Sequence, residues 1–466
     1  MESKKFDLAV IGAGPGGYVA AIKAAQLGLS VCLIEKQHLG GTCLNVGCIP
    51  TKTLLAGAHV LHEVKRASQF GISTGPISFD YAKMKERKDS VIAQMRQGLQ
   101  GLLQANQVTI VKGHAEFLSP KEIKVKGEGG SILIADQTII ASGSEPVDIT
   151  AFPCDHKRIF NSTSILELDQ LPKSIAIIGG GYIGCEFASL FAELGVKVTI
   201  LEAFPAIVMA QGKAVSEALS AAFTKKGIEL VTGVKVEGID SLGSSVSVRI
   251  ADRPALQVDI ALVSVGRKVV SSELGLNKAG IATNDKGMIS VNEKMQTSTP
   301  GIYAIGDVTG LSMLAHTASH QAIIAASNAA GKPARMHYNA IPAVIFTEPE
   351  IATVGLTLEQ AIAAGYKATV GKFPFHVLGK SVASMSTEGF AQLVVDTTTG
   401  QILGAQVVGK EASTLIAEVA LAMTNELTLD CIIDTVHAHP TVAESWLEAA
   451  LVANDTPIHL PPKKRR

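Results

Sequence analysis

Val-Ile-Gly-Ala-Gly-Pro-Gly-Gly at residues 10–17, followed by Leu-Ile-Glu at 33–35, returns later in the chain as a close repeat. Residues 177–184 read Ile-Ile-Gly-Gly-Gly-Tyr-Ile-Gly, and residues 200–202 read Ile-Leu-Glu. In each copy an apolar run leads into G-x-G-x-x-G, an Ala- or Leu-rich helical stretch follows, and a second apolar run ends in glutamate. The first glycine and that glutamate are 23 positions apart in both copies. The repeat predicts two strand–helix–strand units that bind dinucleotides.

The glycines of these two loops have distinct expected roles. The first makes a tight turn, the second lets a pyrophosphate approach the backbone, and the third lets the helix pack on the strand. The pyrophosphate then meets free N–H groups at the positive end of the helix dipole. The glutamates, Glu35 and Glu202, are expected to accept hydrogen bonds from ribose hydroxyls. The glycines concerned are Gly12, Gly14 and Gly17 in the first loop and Gly179, Gly181 and Gly184 in the second.

Two cysteines, Cys43 and Cys48, lie just downstream of the first glycine loop. In a regular helix, residues five apart are separated by about 7.5 Å of rise and roughly 140° of turn, whereas a disulfide needs Cα atoms about 4.4–6.8 Å apart. The segment must therefore bend if the bond forms, and the glycines at 40, 41 and 47 and the proline at 50 supply breaks. The alternative is two buried thiols beside a loop.

Two dinucleotide sites and a thiol pair that can cycle between dithiol and disulfide indicate an electron relay. A nicotinamide transfers hydride, thiols exchange electrons through sulfur chemistry, and a flavin is the natural intermediary. Because only the first site adjoins the thiols, FAD is predicted there and a nicotinamide cofactor at the second site. Glu202 would repel a 2′-phosphate, and residues 203–208 contain no Arg or Lys to receive one, so NAD(H) is predicted over NADP(H).

Composition limits the classes of function. The 466 residues suggest three domains, and 47% hydrophobic residues suffice for their cores. A net charge of −1 gives no electrostatic case for binding nucleic acid or an acidic membrane. Six cysteines do not make a disulfide scaffold here, and neither a signal peptide nor a long apolar run is visible. A cytoplasmic enzyme is therefore predicted, with an already processed organellar protein as the alternative. No metal site is predicted, since His316 and His320 lack further ligands, and the basic tail ending at Arg466 is expected to be frayed.

Two segments resemble those of a known family. Residues 40–52, Gly-Gly-Thr-Cys-Leu-Asn-Val-Gly-Cys-Ile-Pro-Thr-Lys, resemble the redox-active segment of the flavin-dependent pyridine nucleotide-disulfide oxidoreductases. Residues 437–444, His-Ala-His-Pro-Thr-Val-Ala-Glu, resemble the catalytic His–Glu motif of the same family. The resemblance extends over the whole chain, from the first strand to this motif.

The resemblance implies roles for four catalytic residues. A substrate thiolate is expected to attack Cys43 in a Cys43–Cys48 disulfide, and Cys48 is expected to lie against the flavin. His439 is expected to be the general base, and Glu444 is expected to hold its ring. His437 is either a second active-site residue or only packed beside the flavin.

Within the family, the chain looks most like the members that oxidise protein-bound dihydrolipoamide and reduce NAD+. The resemblance then implies a homodimer that serves lipoyl domains of 2-oxo-acid dehydrogenase acyltransferases or the carrier protein of the glycine cleavage system. One alternative is a glutathione-type reductase, which prefers NADPH, and the absence of basic residues after Glu202 argues against it. Another is a non-catalytic subunit that only docks in a large assembly, and the intact set of cysteines, base and acid argues against that.

Matching positions assign further residues to the cofactor sites. The resemblance implies that Lys52 lies near the flavin N5 with Glu186 as its acidic partner, and that Asp307 binds the ribityl chain. The remaining assigned positions are Ser142, Gly143, Gly266 and Ala315. The chain departs from the family after Gly266, where it reads Arg-Lys-Val-Val, and after His316, where it reads Thr-Ala-Ser-His-Gln. These departures leave nicotinamide affinity and flavin tuning open.

The predicted fold is α/β, with two Rossmann-like dinucleotide-binding domains for FAD and NAD and a C-terminal α+β interface domain for dimerisation. The FAD domain is placed at residues 1–145 and the NAD domain at 146–266. Residues 267–335 form a central domain that completes the FAD site, and residues 340–466 form the interface domain. In the last domain, strands are predicted around 393–395 and 405–408, and helices at 411–426 and 441–453.

Overall fold

The computed structural model describes residues 4–127 and 131–462. The prediction for the basic tail concerns mainly residues 463–466, which lie outside the described residues. In the described ranges, no helix combines the length and the apolar character needed to cross a membrane.

The strands and helices alternate in the first two thirds of the chain. The strands are β1 Lys4–Ile11, β2 Val31–Glu35, β3 Thr109–Lys112, β4 His114–Phe117, β5 Glu122–Lys126, β6 Ser131–Ile140, β7 Ser144–Pro146, β8 Ile159–Asn161, β9 Ser174–Ile178, β10 Lys197–Glu202, β11 Glu229–Thr232, β12 Val236–Ser241, β13 Val246–Ile250, β14 Leu256–Val258, β15 Ile260–Val263, β16 Arg267–Val269, β17 Ile302–Ala304, β18 Ala343–Ile345, β19 Ile351–Gly355, β20 Ala368–Pro374, β21 Phe390–Asp396 and β22 Ile402–Val408. The α-helices are α1 Pro15–Gln26, α2 Gly41–Val46, α3 Cys48–Arg66, α4 Tyr81–Ala105, α5 Tyr182–Glu193, α6 Lys213–Lys225, α7 Ala315–Ala329, α8 Leu358–Ala363, α9 Gly379–Ala383, α10 Ala412–Thr424, α11 Leu429–Asp434 and α12 Glu444–Ala453.

The first sheet is built around β1. Its order is β3-β2-β1-β6-β5-β4, with β17 also beside β6. Strands β1, β2, β3, β6 and β17 run parallel, whereas β5 runs antiparallel to both of its neighbours, β6 and β4. Because β1 lies between β2 and β6, the connections leave β1 in opposite directions. A crevice therefore opens at the carboxyl ends of β1 and β6, where α/β sheets bind their ligands.

The apolar run before the first glycine loop is explained by burial on both faces of β1. Leu8 and Val10 pack with side chains of α1 and α7, whereas Ala9 and Ile11 pack on the other face with β4 and β5. A strand covered on both sides reads as continuous rather than alternating hydrophobicity. The strand ends where the loop begins, so burial fixes the position of Gly12 at the crevice.

The second sheet repeats this arrangement. Its order is β11-β10-β9-β15-β8 and all of its neighbouring pairs are parallel. Strand β9 leads into the second glycine loop and lies between β10 and β15, as β1 lies between β2 and β6. A three-stranded antiparallel sheet, β12-β13-β14, is inserted between β11 and β15. The duplication read from the sequence is thus a duplication of topology.

A two-stranded antiparallel ribbon connects the two units. Strand β7 pairs with β16, so that Pro146 lies opposite Arg267. The chain enters and leaves the second unit through this ribbon, and β17 then joins the first sheet beside β6. The unit boundaries that we propose therefore lie at the ribbon, close to residues 146 and 266.

The C-terminal unit is a five-stranded sheet of order β18-β19-β22-β21-β20, antiparallel throughout, packed against α10 and α12. The predicted strand segments lie inside β21 and β22. Both predicted helices are shorter than expected. Helix α10 begins after Glu411, which has a left-handed φ of 66°, and ends at Thr424. Helix α12 begins at Glu444 rather than 441, and the Glu444 side chain folds back to accept the backbone N–H of Thr441 at 2.8 Å.

Candidate active site

A cavity of about 810 Å³ opens at the carboxyl ends of β1 and β6. Its walls include the first glycine loop, Glu35, the segment around the two cysteines and residues 141–146, 305–307 and 313–316. Phe346 of the C-terminal unit also contributes to the lining. A cavity of this volume is suited to a large organic cofactor.

The first glycine loop has the geometry expected of a dinucleotide site. Gly12 has a φ of +96°, and a Cβ added there would collide with the carbonyl oxygen of Ala141. A Cβ added at Gly17 would collide with the carbonyl oxygen of Gly12. At Gly14 the nearest atom to an added Cβ would be the Cα of Gly41 at 4.0 Å, so this position faces open space in the cavity wall. The tight turn and the close helix packing are present, and room remains over the second glycine.

The second glycine loop repeats these three environments. Gly179 has a φ of +107°, and an added Cβ would lie 2.5 Å from the carbonyl oxygen of Ser264. A Cβ added at Gly184 would collide with the carbonyl oxygen of Gly179. A Cβ added at Gly181, in contrast, would have no heavy atom within 4 Å. The same physical constraints therefore account for the same glycine spacing in both units.

The glutamate that ends each βαβ unit braces its own glycine loop. Glu35 accepts the backbone N–H of Ala13 at 2.7 Å with one carboxylate oxygen and that of Gln37 at 2.7 Å with the other. Glu202 accepts the equivalent pair of N–H groups at 2.5 and 2.7 Å. This bracing role was not predicted from the sequence. Each oxygen retains a second lone pair, so the proposed ribose contact remains available.

A helix break brings the two cysteines together. Cys43 lies in α2 and Cys48 is the first residue of α3, and Gly47 between the helices has φ −146° and ψ −110°. A Cβ added at Gly47 would lie 2.9 Å from the carbonyl oxygen of Thr42, so the break requires glycine. The predicted bend is present. Both cysteines are free thiols in this structure and share a hydrogen bond.

The two thiols differ in acidity. The hydrogen bond from Cys43 lowers the pKa of Cys48 to about 7 despite its burial, and the nearby Lys52 ammonium contributes to the lowering. The same hydrogen bond, together with burial, raises the pKa of Cys43. Cys48 also starts a 19-residue helix, whose dipole favours an anion at that end. Cys48 is therefore the thiolate of the pair, and Cys43 keeps its proton.

Lys52 forms an ion pair one helical turn after Cys48. Its Nζ lies 2.8 and 2.7 Å from the two carboxylate oxygens of Glu186 and 4.7 Å from the ring centroid of Phe346. The Glu186 side chain is buried, and its Oε1 also accepts the backbone N–H of Phe346 at 3.0 Å. The ion pair implied by the family resemblance is thus present. It joins all three structural units beside the thiols.

Replacing Lys52 with methionine should raise the pKa of Cys48 above about 7. The substitution removes a cation that favours the thiolate and leaves the carboxylate of Glu186 unpaired, and both changes act in the same direction. Titration of the thiolate ultraviolet absorbance of the reduced protein measures this pKa. Lys65→Met is the matched control, because Lys65 lies in the same helix but pairs with Glu193. A midpoint that Lys52→Met leaves unchanged would contradict the electrostatic role.

An arginine from outside the motif holds the thiol segment. Arg96 of α4 donates from Nε and Nη2 to Oδ1 of Asn45 at 3.1 and 2.6 Å. The Asn45 amide in turn donates to the carbonyl oxygens of Leu39 at 3.0 Å and Gly41 at 2.8 Å. Sequence reasoning missed Arg96, because it is 51 positions from Asn45 and no local pattern marks it.

Asp307 is held at the cavity wall by two residues that were not predicted. The hydroxyl of Ser144 donates to Oδ2 of Asp307 at 2.5 Å and accepts from Nε of Arg267 at 2.8 Å. Arg267 also donates to the carbonyl oxygen of Ser144 at 2.8 Å. The predicted Ser142 lines the cavity, but its hydroxyl donates to the carbonyl oxygen of Val270 at 2.5 Å. The β7–β16 ribbon creates this cluster, so only the fold reveals it.

Helix α7 starts beside the cavity at the predicted Ala315. No side chain caps its first turn, so the backbone N–H groups there can serve a bound acceptor. The predicted Gly143 also lines the cavity. Next to Ala315, Nε2 of His316 contacts the carbonyl oxygen of Pro342 at 2.7 Å. Within residues 4–127 and 131–462, no group of three or more His, Cys, Asp or Glu side chains could hold a metal ion.

The predicted residues of the second dinucleotide site do not line this cavity. Glu186, which was predicted as the acidic partner of Lys52, does line the cavity and reaches it from α5. Helix α5 begins with Tyr182 at the second glycine loop. Glu186 lies one turn further along this helix and pairs with Lys52. One helix therefore connects the second loop with the thiols. The predicted cofactor-site residues outside the cavity lining are Gly17, Gly179, Gly181, Gly184, Glu202 and Gly266.

His439 and Glu444 form the predicted pair, with Nδ1 of the ring 2.8 Å from Oε1 of the carboxylate. Partial burial acts to raise the pKa of Glu444, but hydrogen bonds from the Thr441 backbone and from His439 bring it below its usual value. The His439 side chain is 76% exposed, and neither residue lines the cavity that holds the thiols. The structure therefore does not bring His439 and Cys43 into one cavity within a single chain.

Comparisons with known proteins agree over the full chain. The family described as pyridine nucleotide-disulphide oxidoreductase matches residues 6–322, and the family described as its dimerisation domain matches residues 341–450. A dihydrolipoyl dehydrogenase of Chlamydia pneumoniae is 49% identical over 99% of this chain and 100% of its own length. One of Geobacillus stearothermophilus is 42% identical over 97% of both chains. The crystal structure of LpdA from Mycobacterium tuberculosis superposes with a TM-score of 0.90 at 27% identity, covering 96% of this chain and 99% of that one.

Proposed function

The chain belongs to the pyridine nucleotide-disulphide oxidoreductase family, and on that premise we propose that it is a dihydrolipoyl dehydrogenase. It oxidises dihydrolipoamide to lipoamide and reduces NAD+ to NADH. The observation that carries this conclusion is a pair of thiols of unequal acidity in the wall of a dinucleotide cavity. Full-length relatives of that name, 42–49% identical to this chain, support the choice of substrate.

The cofactors are FAD and NAD(H), and the cavity residues fit FAD. Open space over Gly14 suits a pyrophosphate, and the uncapped start of α7 offers N–H donors. Asp307, fixed by Ser144, provides a carboxylate for hydroxyl groups of the cofactor. When bound, FAD supplies a ring that accepts two electrons from a thiolate and returns them as hydride to NAD+.

Cys43 and Cys48 carry out the exchange with the substrate. A substrate thiolate attacks Sγ of Cys43 in the disulfide, and Cys48 leaves as the thiolate. The nearby Lys52 ammonium and the start of α3 both stabilise the Cys48 thiolate, so Cys48 is the better leaving group. The second substrate sulfur then displaces Cys43, which takes up a proton, and closes the lipoamide disulfide. Two electrons have moved from the substrate to the cysteine pair.

His439 and Glu444 are proposed as the general base and its orienting acid, acting across a dimer. The ring is exposed and lies outside the cavity of its own chain, so a second copy must bring a base to the thiols. We propose a homodimer in which His439 of the partner subunit faces Cys43. The match of residues 341–450 to a dimerisation domain supports this assembly.

The proposed partners are proteins that carry the lipoyl group. These are the lipoyl domains of 2-oxo-acid dehydrogenase acyltransferases or the carrier protein of the glycine cleavage system. A cytoplasmic location is also proposed, because six cysteines in 466 residues do not form a disulfide scaffold and a single redox-active pair is consistent with a reducing compartment.

The function is tested by NADH formation after mixing the flavin-loaded protein with dihydrolipoamide and NAD+, with NADP+ in parallel. We expect turnover with NAD+ at least about tenfold above that with NADP+, since Glu202 disfavours a 2′-phosphate. No turnover of dihydrolipoamide by a protein whose disulfide is still reduced by a nicotinamide would contradict the proposed substrate. Oxidised glutathione with NADPH would then be the next pair to test.

Replacing Gly14 with valine should yield a folded protein that no longer binds FAD. Gly14 has a φ of −68°, which any residue adopts, and its side chain would fill the space over the loop rather than clash with protein. We expect FAD affinity to fall at least about 100-fold, measured by flavin binding to the apoprotein. Gly181→Val is the matched control in the second loop and should preserve FAD binding. Retention of FAD by Gly14→Val would place the pyrophosphate elsewhere.

A further inference from the structure

Two histidines of the C-terminal motif lie two positions apart in opposite environments. The side chain of His437 is 4% exposed, whereas that of His439 is 76% exposed. Nδ1 of His437 lies 3.0 Å from the carbonyl oxygen of Thr435, and Nε2 lies 2.8 Å from Oε1 of Glu418 in α10. Both ring nitrogens of the buried histidine are therefore engaged.

The protons on His437 follow from its two partners. A carbonyl oxygen can only accept, so Nδ1 carries a hydrogen toward Thr435. Nε2 faces a carboxylate, and one more proton must lie between those two atoms for the contact to be attractive. The pair of His437 and Glu418 thus forms a hydrogen-bonded unit that is neutral as a whole, with the His437 ring buried and the Glu418 side chain 33% exposed. Loss of Glu418 would leave the buried His437 ring without its match.

This unit anchors the loop that carries His439, residues 435–440. On the side of α11, the Thr435 hydroxyl donates to the carbonyl oxygen of Cys431 at 2.7 Å. On the side of α12, the Thr441 hydroxyl donates to the carbonyl oxygen of Ala438 at 2.7 Å. Between these points Val436 is 96% exposed and points away from the protein. His437 ties the middle of the loop to α10.

We propose that His437 and Glu418 are positioning residues that hold this loop so that the His439 ring meets the substrate thiol in the assembled enzyme. The inference rests on the proposed function of His439 and extends it to a second His–Glu pair. A general base works only within hydrogen-bond reach of the proton that it removes. A loop tethered at its ends alone would let the ring move over distances that matter for proton transfer.

The inference is tested by steady-state kinetics of the flavin-loaded holoenzyme. We expect His437→Leu and Glu418→Ala to lower kcat for dihydrolipoamide oxidation by roughly 10- to 100-fold, with the KM for NAD+ unchanged. Transfer of electrons from NADH to ferricyanide needs no base at the thiols and should stay at the wild-type rate. The two assays together separate a misplaced base from a damaged flavin site.

Conservative variants sharpen the test. His437→Gln keeps an N–H donor for Glu418, and Glu418→Gln keeps a partner for Nε2, so both should stay within about fivefold of wild type. His459→Gln is the matched control, because His459 pairs with Glu448 of α12 at 2.7 Å but lies outside the loop. It should leave both activities unchanged.

Three results would overturn the inference. The first is a wild-type kcat for dihydrolipoamide oxidation in His437→Leu, and the second is an equal loss of this kcat in His437→Leu and His437→Gln. The third is a loss of NADH–ferricyanide activity that parallels the loss of kcat. The wild-type rate with dihydrolipoamide tests the proposed function by itself. The inference is tested by the ratio of the variant kcat to the wild-type kcat. Both values are measured with whichever dithiol or disulfide the wild type turns over.

Discussion

Cys48→Ser should lose dihydrolipoamide oxidation by at least about 1,000-fold, because removal of a group that changes covalent partners leaves only residual catalysis. A serine oxygen cannot form the disulfide with Cys43, so the substrate has no bond to exchange with. It also cannot be the anion at the start of α3, since a hydroxyl pKa lies far above that of the Cys48 thiol, about 7. The measurement is NADH formation from dihydrolipoamide and NAD+ under steady-state conditions.

Two controls identify the cause of this loss. Electron transfer from NADH to ferricyanide should persist in Cys48→Ser, since the FAD and NAD sites do not depend on the disulfide. Cys431→Ser should retain full activity, because Cys431 is exposed and lies far along the chain in α11. Thiol titration of the oxidised wild type should find two fewer thiols than the reduced protein. Cys48→Ser with more than a tenth of wild-type turnover would exclude the proposed exchange.

His439→Gln should lower dihydrolipoamide turnover by roughly 100- to 10,000-fold, the range expected when a general base is removed. Glutamine can still donate a hydrogen bond to Glu444 but cannot take a proton from the substrate thiol. Glu444→Gln should have a smaller effect, because the imidazole remains but loses the carboxylate that holds it at 2.8 Å. Steady-state NADH formation measures both, and near-full turnover by His439→Gln would assign the base elsewhere.

A mixed dimer decides whether the base acts between subunits. If each site combines thiols of one subunit with His439 of the partner subunit, a dimer of Cys48→Ser and His439→Gln chains has one intact site. Random reassembly of the two inactive variants should then restore about a quarter of wild-type activity, since half of the dimers are mixed and each has one working site. If thiols and base acted within one chain, the mixture would stay inactive.

The glycine loops and the thiol motif were readable from the sequence because local constraints fix them. Gly12 and Gly179 need a positive φ, and Gly47 needs the space that a Cβ would take, so glycine is specified at each of these positions. Buried parallel strands such as β1 and β9 read as continuous apolar runs. Helix ends were less predictable. The start of a helix depends on local backbone conformation, such as the left-handed Glu411 before α10, rather than on hydrophobic period.

By itself the sequence determined the α/β class, the duplicated dinucleotide units and the thiol pair, because each is encoded within about 40 residues of chain. Contacts over long separations were decided by the tertiary structure. The pairing of Arg267 with Ser144 spans 123 positions and that of Arg96 with Asn45 spans 51, and neither leaves a periodic signal. The exposed position of His439, outside the cavity of its own chain, was likewise fixed only by how the C-terminal sheet packs. Local pattern specifies which chemistry a segment can perform, whereas packing between distant segments determines which groups meet.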